Sequence, residues 1–189
     1  MHIPERYISY VYERRLELLR RILSGKKENV VLEITRALPV VITDGPAGLS
    51  GSVKMVGFIP KPEHLKELLQ IARDIVKKRE IEGILNLYQR EKIDFRSLGG
   101  LEMAFKHSWE NIRASKRATL VFFTPPSESF EVRCDVEIHD GDEICEYLNL
   151  LHRIYHEGEE NYPAYVFRIR EIYDQSASKD GFGRLIYRI

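Results

Sequence analysis

The sequence has little cysteine, no excess of charge of either sign and no long hydrophobic run. Its two cysteines, Cys134 and Cys145, fit no zinc or redox spacing and are too few for a disulfide framework, so we expect reduced, structural thiols. Lysine plus arginine and aspartate plus glutamate both number 29, which removes the net positive field typical of proteins that bind DNA or RNA. We therefore predict no nucleic-acid partner.

Signals for export or membrane insertion are also missing. No stretch of about 18 apolar residues is present, and the opening MHIPERYISY is charged and aromatic rather than leader-like. These absences predict a cytoplasmic protein without a membrane partner. With 43% hydrophobic and 31% charged residues over a length of 189, the chain can bury a core, and we expect a single domain over residues 1–189.

Three segments have the spacing of amphipathic helices. Residues 5–23 carry apolar side chains at helical spacing and end at Ser24-Gly25, which predicts an N-terminal helix packed on the domain. Residues 61–98 open with a proline suited to a first helical turn and carry two apolar stripes, which predict a helical insertion. The insertion is expected to cover core or contact another subunit rather than to contact substrate. A third helix is predicted after the capping residue Asp142.

The remaining apolar runs have the composition or the alternation of strands. They are NVVLEI (29–34), LPVVIT (38–43), GSVKMVGFIP (51–60), the alternation Leu101, Met103, Phe105, then 118–124, 130–138, PAYVFRIREIYD (163–174) and GRLIYRI (183–189). The second and third runs read as a hairpin around Asp44-Gly45-Pro46, with Lys54 among apolar neighbours on the second arm. Strands joined by hairpins or single helices predict an α+β, mainly β, protein built on a small antiparallel barrel.

The most polar point of this β-rich sequence is a corner that opens a short helix. Lys106, His107 and Ser108 come immediately before WENIR, and Asn111 can bond back to the corner. A phosphate group needs cations, hydroxyl donors and free backbone N–H groups, which a helix N-terminus supplies. A plain N-cap role for Ser108 and a solvated surface role for Lys106 remain open alternatives.

The order of these elements resembles the FMN-binding split-barrel superfamily, which includes pyridoxamine phosphate oxidases and flavin reductases. The resemblance covers about residues 29–59 and 99–175. The sequence HSWENI is similar to the family's polar helix start, and Lys54-Met55-Val56 is similar to the Arg-Met-Val that the oxidases place beneath the flavin.

The resemblance implies an antiparallel split β-barrel with surrounding helices, FMN as the cofactor, and a homodimer with the cofactor at the subunit interface. The cofactor-binding residues that it implies are Lys54, Met55, Val56, Lys106, His107, Ser108 and Asn111. The implied activity is that of an oxidoreductase that passes hydride or electrons between a nicotinamide or other donor and a small-molecule acceptor.

Two departures from the oxidases argue against pyridoxamine phosphate as the substrate. The C-terminal GFGRLIYRI has Arg184-Leu185 without the proline of the oxidases' Arg-Leu-x-Pro, and Lys106-His107-Ser108 replaces their usual Ser-Arg-Lys. No side chain is identified as a general acid or base. The alternative function is a non-catalytic split barrel that binds flavin, haem or another ligand for sensing or storage.

Gly57, Trp109 and two histidines are further candidates for a role in ligand binding. Gly57 would allow the flavin ring to approach the strand from Lys54 to Phe58 closely. Trp109 is expected to pack on the core rather than cover the ring. His152 and His156 form an i, i+4 pair that could share zinc, but no third and fourth ligands accompany them, so we expect ordinary helix-end histidines and no metal.

Overall fold

The computed structural model describes residues 2–25, 38–156 and 158–189. Over these ranges the strands are β1 Val40–Thr43, β2 Ser50–Val53, β3 Gly57–Pro60, β4 Ile93–Leu101, β5 Arg117–Thr124, β6 Glu128–His139, β7 Ala164–Asp174 and β8 Arg184–Arg188. The helices are α1 Glu5–Ile8, α2 Arg14–Leu23, α3 Pro62–Lys78, α4 His107–Ser115 and α5 Glu143–Tyr155. A π-helical turn, Ser9–Glu13, joins α1 to α2, and two 3-10 helices, Ile81–Leu87 and Arg90–Lys92, follow α3. The predicted α+β class is confirmed. The strand predicted at 29–34 lies outside the described residues.

All described strands belong to one antiparallel sheet that curls into a barrel. Its order is β2-β1-β5-β6-β7-β4-β3, with β8 added on β7. The two end strands, β2 and β3, are joined by only Lys54–Val56. Because an extended chain spans at most about 3.6 Å per residue, this short connection forces the two ends of the sheet to lie close together. They are not hydrogen-bonded neighbours in the described sheet, so the barrel is split at this point.

Two predicted strands differ from the observed ones. The run 51–60 was predicted as one strand, but it divides because its halves pair with different partners, β2 with β1 and β3 with β4. The alternation from Leu101 to Phe105 is not a strand either. The strand in this region is β4, and after Leu101 the chain turns because the Glu102 carboxylate accepts the backbone N–H groups of Ala104 and Phe105. The helical insertion therefore ends at Lys92, and the prediction that it reaches residue 98 was too long.

The predicted N-terminal helix is confirmed and closes one side of the barrel. Tyr7 is fully buried, and its ring meets those of Phe58, Phe122 and Phe130 at centroid distances of 6.0, 5.9 and 5.4 Å. Aromatic rings at these separations pack edge to face and bury a large apolar area. The helix thus supplies part of the main core, although it lies outside the region of resemblance.

The helical insertion covers a second core. Leu68, Leu69 and Ala72 of α3 are buried together with Ile144 and Leu148 of α5. This arrangement confirms that the apolar stripe of α3 packs on core. Among the described helices, none is both long and apolar enough to cross a membrane.

Candidate functional site

A cavity of about 130 Å³ lies where β2, the end of β4 and the start of α4 meet. Its lining consists of Ser50, Gly51, Ser52, Lys54, Glu102, Ala104, Lys106, His107 and Ser108. Four of the predicted cofactor-binding residues, Lys54, Lys106, His107 and Ser108, are therefore brought together, although about 50 positions of sequence separate the first from the others.

The start of α4, which lines this cavity, has no side-chain cap. Lys106 is the N-cap residue and no side chain caps the helix, so Ser108 is in its first turn and the N-cap interpretation of Ser108 is wrong. The Ser108 hydroxyl instead hydrogen-bonds to the Ser52 hydroxyl at 2.9 Å. The first N–H groups of a helix have no intrahelical partner and lie at the positive end of the helix dipole. The corner therefore combines lysine, histidine, hydroxyl and backbone donors around one space.

The remaining three predicted residues do not line the cavity. Met55 has 45% of its surface exposed, whereas Val56 is fully buried in the core. The backbone carbonyl of Val56 accepts a hydrogen bond of 2.9 Å from the Arg15 guanidinium. This hydrogen bond thus anchors the segment Lys54–Val56 to the N-terminal helix.

Asn111 fixes the turn between β1 and β2 against α4. Its Oδ1 accepts the Ala47 N–H at 2.8 Å, and its Nδ2 donates to the Gly48 carbonyl at 2.6 Å and to the Thr43 hydroxyl at 3.2 Å. Gly45 lies so close that a Cβ there would be 2.9 Å from Oδ1. Asn111 therefore bonds to this turn rather than back to its own corner, and it positions the strand that carries Ser50 and Ser52.

The buried carboxylate of Glu102 links Lys54 to the residues just before the corner. Glu102 is 1% exposed, and its Oε2 accepts hydrogen bonds from Lys54 Nζ at 2.9 Å and the Tyr165 hydroxyl at 2.8 Å. Its Oε1 accepts the N–H groups of Ala104 and Phe105 at 2.9 and 2.8 Å. Burial opposes ionisation, but the bonds from Lys54, Tyr165 and Phe105 outweigh it and hold the pKa of Glu102 below its usual value. Burial and the bond to Glu102 raise the pKa of Tyr165, so it acts as a neutral donor.

Aromatic side chains flank the corner. Phe105 has a left-handed backbone, with φ of 53°, and is held there by its bond to Glu102. Its ring is half-exposed and meets Trp109 edge-on at 5.5 Å. Trp109 is partly buried against the main core, as expected from the sequence.

The structure does not support the flavin approach predicted at Gly57. The guanidinium of Arg15 occupies the space in which a Cβ at position 57 would lie. The absence of a side chain at Gly57 therefore makes room for the N-terminal helix and not for a ligand at that face.

Sequence reasoning missed Ser50, Ser52, Glu102 and Tyr165. A signal for the two serines exists, because Ser50 and Ser52 alternate along β2 and so share one face of the strand, and Lys54 follows at the same spacing just beyond its end. The other two have no comparable local signal, since Glu102 and Tyr165 are 63 positions apart and meet only through the pairing of β4 with β7.

His152 of α5 and His156, the residue after its end, lie with their rings tilted and the ring centroids 4.6 Å apart. In the part of the chain that the structure describes, no group of three or more His, Cys, Asp and Glu side chains is placed to hold a metal ion.

Comparisons with known proteins identify structural relatives only. No family model and no curated protein matches the sequence. The structure of HupZ from Group A Streptococcus aligns with a TM-score of 0.53 at 10% identity, covering 77% of this chain and 90% of HupZ. A candidate pyridoxamine 5'-phosphate oxidase from Lactobacillus delbrueckii gives 0.48 at 14% identity, over 86% and 93%. An FMN-binding, pyridoxamine 5'-phosphate oxidase-related protein from Nostoc punctiforme gives 0.44 at 10% identity, over 82% and 78%. At these identities the similarity concerns the fold.

Proposed function

We propose that this chain, which has the split-barrel fold of the FMN-binding proteins it resembles, binds FMN and holds the flavin phosphate in the cavity at the start of α4. The observation that carries the proposal is the convergence of Lys54, Lys106, His107 and Ser108 on one space beside an uncapped helix N-terminus. Helix N-termini with added cations and hydroxyl groups are favourable sites for phosphate.

The donors around the cavity are available for a ligand. Within the described residues, the side chains of Lys106 and His107 form no hydrogen bond or ion pair, and both are exposed at the mouth. Ser52 and Ser108 share one hydrogen bond, which leaves one hydroxyl proton for a phosphate oxygen. Lys54 Nζ has three protons and uses one of them on Glu102.

The size of the cavity indicates that one chain does not enclose the whole cofactor. Its volume of about 130 Å³ is well below the roughly 300–1,000 Å³ of sites that enclose a small-molecule ligand. A phosphate fits this volume, and the ring system must lie outside it. The exposed apolar side chains Met103 and Phe105 alternate in sequence with the lining residues Glu102, Ala104 and Lys106, and we propose that they offer a surface for it.

We infer that a second copy of the chain covers this apolar surface, giving a homodimer with the cofactor between the subunits. A cofactor with an exposed ring needs a second wall, and exposed apolar patches beside a site are typical of interfaces. Light scattering at micromolar concentration is expected to give the dimer mass. A monomer mass would contradict the inter-subunit site.

The proposed activity is flavin-dependent oxidoreduction of a small molecule. When bound, FMN would supply the transfer of hydride or electrons, while the chain binds, orients and shields it. Glu102 is ionised and already accepts four hydrogen bonds, so it is no proton donor at neutral pH. NADH or NADPH is expected to reduce the bound flavin under anaerobic conditions without added metal. Flavin that stays oxidised with both would favour the non-catalytic binding protein or another donor.

The phosphate site is tested by comparing FMN with riboflavin, which lacks the phosphate. Each charge-assisted bond contributes roughly 1.5–3 kcal/mol, or about 10- to 100-fold in affinity. Lys106→Ala and Ser108→Ala should weaken FMN binding and leave riboflavin binding nearly unchanged. Lys77→Ala, which removes an exposed lysine from α3, is the matched control and should change neither. Equal losses for both flavins, or none for either, would remove the corner from the site.

The absorption spectrum of the freshly purified protein gives a first, independent test. A flavin band supports the proposal, and a haem band would overturn it in favour of another ligand. The cytoplasmic location expected from the sequence stays a prediction, and cell fractionation tests it.

A further inference from the structure

We propose that Glu102 limits how tightly this cavity binds an anion. By partly neutralising Lys54 and by repelling an anion directly, the buried carboxylate weakens the binding of a phosphate group. The inference rests on the proposed function only in taking the cavity as the anion site.

Glu102 is a buried residue in the wall of the cavity rather than a surface charge near it. It is 1% exposed, it lines the space directly, and its four hydrogen bonds reach β7, the corner and the segment after β2. An acidic side chain in a phosphate cavity is unfavourable for affinity, because like charges repel strongly where water is excluded.

Glu102 cancels one of the two lysine charges that line the cavity. Lys54 and Lys106 are cationic and Glu102 is anionic, which leaves one net positive charge from these side chains. The helix N-terminus adds roughly half an elementary charge. Against the roughly 1.5 to 2 negative charges of a phosphomonoester at neutral pH, these groups offer about 1.5 positive charges, and loss of the Glu102 charge would raise that to about 2.5.

The negative charge of Glu102 is not required to shape the corner. A glutamine carbonyl at position 102 can accept the N–H groups of Ala104 and Phe105 in the same way as Oε1 does. What glutamine cannot reproduce is the attraction on Lys54 and the repulsion of an anion in the cavity. The Glu102→Gln variant therefore separates the structural role from the electrostatic one.

The relative size of two opposing effects predicts whether Glu102→Gln binds FMN more tightly or more weakly than wild type. At a separation of about 6 Å and an effective dielectric constant near 20, repulsion between Glu102 and one phosphate charge corresponds to roughly 100-fold in affinity. Without the Glu102 carboxylate, the Lys54 side chain gains conformational freedom. FMN binding must remove this freedom again, which lowers the affinity by at most about 30-fold. The repulsion is larger, and a second phosphate charge increases it further.

Equilibrium titrations of wild type and Glu102→Gln with FMN and with riboflavin test the proposal. We expect Glu102→Gln to bind FMN about tenfold more tightly than wild type, with riboflavin unchanged. Tyr165→Phe is the control, since it removes one hydrogen bond to the same carboxylate and keeps its charge. A purely structural role of Glu102 would weaken both flavins. Unchanged or weaker FMN binding by Glu102→Gln overturns the proposal.

A charge-balanced double variant covers the case in which Glu102→Gln does not fold. Lys54→Met with Glu102→Gln has the same net charge as wild type, so its FMN affinity should lie near the wild-type value, whereas Lys54→Met alone should bind FMN at least tenfold more weakly. A double variant as weak as Lys54→Met alone contradicts the electrostatic role of Glu102.

Failure of the proposed function can be told apart from failure of this inference. If wild type binds neither flavin, the FMN proposal is wrong, and inorganic phosphate then serves as the probe. Phosphate should raise the melting temperature of Glu102→Gln more than that of wild type. An equal or smaller rise overturns the inference about Glu102.

Discussion

At the scale of single residues, Asn111 shows how a predicted ligand-binding residue serves the site indirectly. Its amide is fully buried and joins α4 to the turn between β1 and β2. Asn111→Ala would leave the Ala47 N–H and the Gly48 carbonyl without this partner, at about 1–3 kcal/mol for each group that stays buried. We expect a loss of about 2–4 kcal/mol in the free energy of unfolding, measured by urea denaturation.

The control for this prediction is Asn86→Ala, at an exposed position in a 3-10 helix, with an expected change of at most about 0.5 kcal/mol. A loss in Asn111→Ala no larger than that of the control would show that the amide does not hold the turn.

The two cysteines give a prediction about reactivity. Cys134 and Cys145 are buried, and burial raises the pKa of both thiols, so little thiolate forms near neutral pH. A coloured thiol reagent should therefore label the native protein slowly and the unfolded protein rapidly at both positions. Rapid labelling of either thiol before unfolding would contradict their structural role.

The site was predictable from the sequence to the extent that its pattern is local. Lys106, His107 and Ser108 stand together at a visible change from strand to helix. Glu102 and Tyr165 were not predictable, because the feature that makes them important is a long-range pairing. A single acidic residue after an apolar run is usually solvated, and nothing in its neighbours indicates that it is buried.

At the scale of elements, the N-terminal helix is part of the barrel core rather than a decoration. Tyr7→Ala should lower the free energy of unfolding by about 3–5 kcal/mol, as for other buried aromatic residues. Arg20→Ala on the exposed face of α2 is the control, expected to change stability by at most about 0.5 kcal/mol. Chemical denaturation of both variants measures these free energies of unfolding. Similar small losses of stability in the two variants would show that the helix is not needed for the core.

The predicted helices were more accurate than the predicted strands. Helices are specified by their own spacing and caps, as at Asp142, whose side chain accepts the Cys145 N–H at 2.9 Å. Strand limits depend on partners elsewhere in the chain. The run 51–60 is continuous in its apolar character, but it changes partner at Lys54–Val56, and only the barrel topology requires that change.

At the scale of the whole molecule, buried tyrosines predict sensitivity to alkaline pH. Burial is the largest cause that raises the pKa of Tyr7, Tyr10, Tyr12, Tyr147, Tyr155 and Tyr165 from the ordinary value of 10.0, for Tyr12 to about 12. The folded state then holds protons that the unfolded state releases above pH 10, so stability is complete below that pH and falls above it.

We therefore expect unfolding and tyrosine ionisation to occur together as the pH rises from about 10 to 12. Circular dichroism and the ultraviolet absorbance of tyrosinate, recorded on the same samples, check this. Full ionisation of the tyrosines near pH 10 in a protein that keeps its native dichroism would contradict the burial of these side chains.

The assignment of the cavity as a phosphate site is tested most directly by a diffraction structure of the protein crystallised with FMN. The account predicts phosphate oxygens within about 2.7–3.2 Å of the Ser108 backbone N–H, with Lys54 and Lys106 in contact with the same group. A flavin bound with its phosphate elsewhere on the barrel, and this corner filled by water, would contradict it.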